Sequence, residues 1–137
     1  MLTFTTFTPG AGGSALYKAL THPLCADAIR ALYGRLAAAD GEVALYDPLD
    51  AAETLAMPHP LDDLRIGGVY VQDIRTVGQT RLGRPARPVT ELPRSGAAAV
   101  LIAAYDAARI RAQAAPLIPP GALVATLDDA VLPNWMR

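Results

Sequence analysis

The chain has 137 residues, 52% of them apolar and 18% charged, which suits one globular domain with a real core and excludes a disordered chain. Lys plus Arg number 12 against 13 Asp plus Glu, a formal net charge of -1, so the basic excess of a nucleic-acid binder is absent and no nucleic-acid partner is expected. A lone Cys25 excludes an internal disulfide, no apolar run reaches the roughly 18 residues of a membrane span, and no basic stretch leads into an apolar one, so a cytoplasmic protein without membrane contact is expected.

Residues 1 to 13, "MLTFTTFTPGAGG", alternate Thr with Phe and end in a Pro/Gly break. The run Gly10-x-Gly12-x-x-Ala15 has the form of a dinucleotide fingerprint. It follows a Thr-rich stretch instead of a buried strand, and no acidic residue ends a second strand about 20 residues on, so it is read as a lead segment. Leu16, Leu20, Leu24, Ala28, Leu32 and Leu36 recur at near-helical spacing, and His22-Pro23 interrupts them, which predicts helical pieces over 14–21 and 23–38. Asp40-Gly41 ends the second piece, "EVALY" is the first core strand, and Asp47-Pro48-Leu49-Asp50 turns into a helix over 49–57 that Pro58 and Pro60 stop.

"LRIGGVYVQDI" then gives a strand marked by Ile66, Val69 and Val71. Arg75, Arg81, Arg84, Arg87 and Arg94 fall in a Gly/Pro-rich link read as a solvated loop, with a face toward an anionic ligand as the alternative, and with a short strand near 86–89. The unbroken run "AAAVLIAAY", 97–105, predicts a strand in the middle of a parallel sheet, buried on both faces. Asp106 is expected to cap the helix "AARIRAQAAPLI", and "ALVATL" is a last strand. Strands alternating with helices argue for a parallel sheet covered on both faces.

The stretch 66–110 carries Gly68-Val69-Tyr70-Val71-Gln72-Asp73, Gly78, Gly83-Arg84-Pro85, Val89, Leu92-Pro93 and Ala98-Ala99-Val100-Leu101-Ile102-Ala103. In this order it resembles the N-terminal Rossmann-like domain of bacterial nucleotide-sugar acetyltransferases and the related domain of polysaccharide-biosynthesis dehydratases. The similarity covers about 43–129. It implies a non-catalytic nucleotide- or nucleotide-sugar-binding domain with its ligand at the strand carboxyl ends. One departure stands out: where that family has a Gly-rich turn after its first strand, letting backbone approach phosphate, this chain has Asp47-Pro48-Leu49-Asp50. Two carboxylates repel phosphate and Pro48 donates no N–H, so the turn is expected either to cap the following helix through Asp47 or Asp50 or to hold a hydroxyl-rich or cationic group.

The expected fold is α/β, a Rossmann-like parallel sheet of four or five strands flanked by helices over 41–137, with an extra N-terminal helical segment over 1–40 inside one compact domain. Asp47, Asp50, Asp73, Tyr105 and Asp106 are the candidate ligand-binding residues, with Asp128 placed beside Asp73 and Asp106 on the same rim. No catalytic set is assembled: Ser14 and Ser95 lack a nucleophile elbow, and adjacent pairs such as Asp62-Asp63 point apart on a strand. His22 and Cys25 with His59 fall short of a zinc set, so no metal is expected, and the cofactor is left unassigned. The alternative reading is a protein-interaction or oligomerisation module that kept the fold and lost the ligand, using exposed N-terminal helices as a homodimer or partner surface. The closing "LPNWMR" suggests work beside a neighbouring domain.

Overall fold

A computed structural model describes residues 20–104 and 107–129. Ten regular elements follow in chain order: α1 (Pro23–Ala38), β1 (Val43–Tyr46), α2 (Ala52–Ala56), β2 (Ile66–Val71), β3 (Thr80–Arg81), β4 (Arg84–Pro85), β5 (Arg87–Pro88), β6 (Ala99–Ile102), α3 (Ala108–Ala114) and β7 (Leu123–Thr126). Five strands form one sheet in the order β5-β2-β1-β6-β7, every neighbour parallel, and β3 with β4 makes a small antiparallel hairpin. The fold is Rossmann-like α/β.

Side-chain alternation sorts the strands onto two faces. Val43, Leu45, Val69, Ala99 and Leu101 join a core with α1 and with Ala52 and Leu55 of α2. Ala44, Tyr46, Tyr70, Val100 and Ile102 join a second core with Val89, Leu92, Ala107 and Ala114. Every residue of β1 and β6 is buried, as strands covered on both sides must be. Within the apolar run expected as a strand, β6 (Ala99–Ile102) lies inside the sheet, paired on both edges, while the middle position belongs to β1.

Helix α1 matches the range expected from periodicity. Leu20 and Thr21 are helical, His22 bends, and the helix restarts at Pro23, where a missing N–H costs nothing. Its Cys25, Ile29, Leu32 and Leu36 are fully buried against the sheet. The extra N-terminal helix is thus a layer of the sheet: α2 is a helix of five residues and cannot cover a face of five strands, so α1 supplies the rest of that layer. The lead segment before Leu20 lies outside the described residues.

Two helices are shorter than their patterns. The predicted 49–57 helix begins only at Ala52, because Asp50 has φ 56, outside the helical region. The predicted helix after Asp106 ends as α-helix at Ala114, since Pro116 lacks the N–H to continue it, and a 3-10 turn follows over Ala115–Leu117. Gly83 serves a tight turn: Arg81 pairs with Arg84, and Leu82 (φ 53) with Gly83 (φ 76) forms the two-residue loop. Positive φ at both loop positions is what a hairpin of this length requires.

Both sheet edges are closed to further pairing. On β7 the Thr126 N–H is taken by Asp129 Oδ2 at 2.8 Å and the Val124 carbonyl accepts Arg111 Nη2 at 3.4 Å. On the other side β5 is two residues long and ends in Pro88.

Candidate functional site

The connections from β1 and β6 leave the sheet in opposite directions, β1 through α2 to β2 and β6 through α3 to β7, on opposite faces. In open α/β sheets the place where ligands bind lies at such a switch point, beyond the strand carboxyl ends. The turn after β1 and Ala103-Ala104 after β6 border it, with the Ala103 N–H donating to the Tyr46 carbonyl at 2.9 Å.

Asp47 sits at this point and is only 3% exposed. Its N–H donates to the Tyr70 carbonyl at 2.8 Å, which continues the β1–β2 ladder past Tyr46. Its Oδ1 accepts the Ala51 N–H at 2.7 Å and the Ala52 N–H at 3.2 Å. The carboxylate thus secures the start of α2, in the role expected of Asp47 or Asp50. The residue formally in the cap position, Ala51, has no side chain for the task. Asp47 Oδ2 lies 3.8 Å from Arg81 Nε, and the same Nε lies 2.9 Å from Asp50 Oδ1. The contact to Asp50 lacks hydrogen-bond geometry, so Asp47 Oδ2 and Arg81 Nε are both buried without a hydrogen-bond partner. Burial pushes the Asp47 carboxyl above the ordinary carboxylate range, and the two amides and Arg81 pull against that shift.

Arg81 is the residue that sequence reasoning missed. It was grouped with the arginines of a solvated link, yet it is 8% exposed. Its Nη1 bonds Gln79 Oε1 at 3.1 Å and the Thr80 carbonyl at 3.3 Å, so the hairpin that carries it also aims it. The signal available was the pair of arginines flanking Leu82-Gly83: a two-residue loop fixes Arg81 opposite Arg84. Arg84 Nη1 bonds the Ile66 carbonyl and fastens the hairpin to the start of β2.

Asp73 follows β2 on the same rim as Asp47. Its carboxylate accepts the Arg75 N–H at 3.0 Å and receives Arg75 Nε and Nη2 at 3.1 and 3.0 Å. This pairing holds its carboxyl below the ordinary range. Asp73 therefore begins a turn, and half of its side chain stays accessible. Tyr105 and Asp106 lie outside the described residues. The Ala107 N–H ahead of α3 is taken by Asp128 Oδ2 at 2.8 Å, so an acid from the end of β7 holds that helix start. The expected grouping of Asp128 with Asp73 is corrected by the strand order: β1 and β6 stand between their strands, three spacings or about 14 Å. The structure joins Asp47 and Asp50 through Arg81 and keeps Asp73 and Asp128 apart from each other.

The remaining candidates hold the fold together. His59 Nε2 lies 2.6 Å from the Leu20 carbonyl, and the Tyr33 hydroxyl donates to the His59 carbonyl at 2.9 Å, tying α1 to the loop after α2. Among the described residues no three His, Cys, Asp or Glu stand close enough to hold a metal ion, and no described helix is long and apolar enough to cross a membrane. Compared with protein-family models, curated proteins and solved structures, the chain matches none.

Proposed function

We propose that this chain is a non-catalytic ligand-binding domain whose ligand, a nucleotide or nucleotide-sugar, lies at the carboxyl ends of β1 and β6. The observation that carries the reading is the switch point itself, the place where open α/β sheets bind small molecules. The resemblance of 66–110 to nucleotide-sugar-binding domains supplies the ligand class. Asp47 modifies the mode of binding: its carboxylate already takes the α2 amides and repels anions, so phosphate is kept from the β1 turn and the ligand presents hydroxyls there. Asp73, with part of its carboxylate accessible, is a second acceptor for hydroxyls on the neighbouring strand end.

A second reading, an interaction module that lost its ligand, is favoured by one feature. Leu49, 60% exposed, and Ile74, 82% exposed, project from the loops after neighbouring strands β1 and β2, with Val77 nearby in sequence. Apolar side chains gathered on one rim suit a protein partner. Thermal unfolding with a panel of nucleotides and UDP-sugars separates the two readings. Ligand binding stabilises by about 2.7 kcal/mol at a hundredfold excess over Kd, so a melting temperature that climbs with ligand supports the first. No shift at millimolar ligand, together with a concentration-dependent dimer in sedimentation, supports the second.

A further inference from the structure

Asp47 Oδ2 and Arg81 Nε belong to one ion pair, 3.8 Å apart, and each is buried without a hydrogen-bond partner. The Asp47 side chain is fully buried and that of Arg81 nine-tenths buried. Their chemistry restricts what satisfies them together. The carboxylate oxygen only accepts and the guanidinium N–H only donates. An ammonium group serves the carboxylate alone. A phosphate oxygen serves the arginine alone and meets repulsion from Asp47 and Asp50. A hydroxyl oxygen, like the water whose place it would take, accepts from Nε and donates to Oδ2, and at about 2.8 Å from each it spans the gap. Both partners are held in advance, Asp47 by the Ala51 and Ala52 amides and Arg81 by Gln79 and the Thr80 carbonyl.

We infer that Asp47 Oδ2 and Arg81 Nε seat one hydroxyl of a sugar or other polyol, and that the β3–β4 hairpin, with Arg81 on it, opens and closes over that hydroxyl. The inference rests on the switch point being a ligand crevice. Access needs the hairpin to move, since neither atom touches solvent in the closed arrangement. Gly78 at the hairpin base has φ 89 and nothing within 4 Å of an added Cβ, which leaves room for a pivot. Two non-glycine residues among those described have positive φ, Asp50 and Leu82, and they flank this contact from its two sides.

The test uses UDP-glucose as probe, because it carries both ribose and hexose hydroxyls, together with its singly deoxygenated analogues. Titration calorimetry on the wild type is expected to find one analogue bound about tenfold to a hundredfold more weakly than the parent. In Arg81→Met and in Asp47→Asn the parent is expected to fall to that analogue's affinity while the analogue itself is unchanged. Circular dichroism and urea melts establish that both variants are folded. In the wild type alone, hydrogen exchange at the Gly78 and Ala86 amides, which bond within the hairpin base, is expected to slow with UDP-glucose. If UDP-glucose binds but every analogue responds alike in wild type and variants, the hydroxyl seat is wrong and the ligand crevice stands. If the wild type binds neither parent nor analogue at millimolar concentration, seat and crevice fall together.

Discussion

Burying a carboxylate is costly, and at Asp47 two backbone amides and one arginine offset the cost. Replacing it by alanine frees the Ala51 and Ala52 N–H groups and leaves Arg81 facing Asp50 alone. Asp47→Ala is expected to destabilise the fold by about 2–4 kcal/mol, read from urea denaturation. The pH dependence carries a definite sign. Burial raises the Asp47 carboxyl in the native state, so the native protein keeps a proton that the unfolded chain releases near about pH 3.9. The stability from this group is full below that value and declines as pH rises through the native one. Asp73 acts oppositely: Arg75 holds it low, so its contribution is present above the unfolded value and lost as pH falls through the native one. The stability difference between wild type and Asp47→Asn, measured from about pH 3 to about pH 7, isolates Asp47. It is expected to shrink as pH rises, and a difference that grows would show that the amides and Arg81 outweigh burial.

At the scale of elements, α1 is the strongest departure from its sequence-level status. Its boundaries were legible, because Pro23 and the Leu repeat announce them, but its place was not. Periodicity says that a helix has an apolar face and is silent on which sheet that face meets. Leu32 is fully buried in the core that α1 shares with β1 and β6. Leu32→Ala is expected to cost about 2–5 kcal/mol in equilibrium unfolding; a loss under about 1 kcal/mol would return α1 to the status of an appendage. The short elements were harder to foresee. The late start of α2 follows from one left-handed residue, Asp50, which also contacts Arg81 of the hairpin. A contact between residues so far apart in the chain leaves no local trace.

For the whole molecule, the parallel α/β architecture was legible because two of the three interior strands, β1 and β6, are apolar throughout, a pattern that two-sided burial produces. The acids on the carboxyl rim were legible as positions and not as partners. Asp47, Asp73 and Asp128 all fall after strands as expected, but which amide or arginine each one meets depends on loop geometry. The closed sheet edges give a prediction at this scale. Asp129→Ala uncovers the Thr126 N–H on the outer side of β7 and is expected to raise self-association, seen as a concentration-dependent increase in sedimentation coefficient. A variant that stays at the wild-type coefficient while losing stability would show that Asp129 serves the local turn alone.

The position of β1 in the sheet also governs how the chain regains its shape. Strand β1 pairs on one side with the strand begun by Ile66 and on the other with the strand containing Ala99. Neither partner is a sequence neighbour, so a molecule diluted out of denaturant must close two wide loops before its middle strand is flanked. Chains whose contacts span such separations refold over milliseconds to seconds. Stopped-flow mixing is expected to find this protein there, slower than a helical bundle of its size.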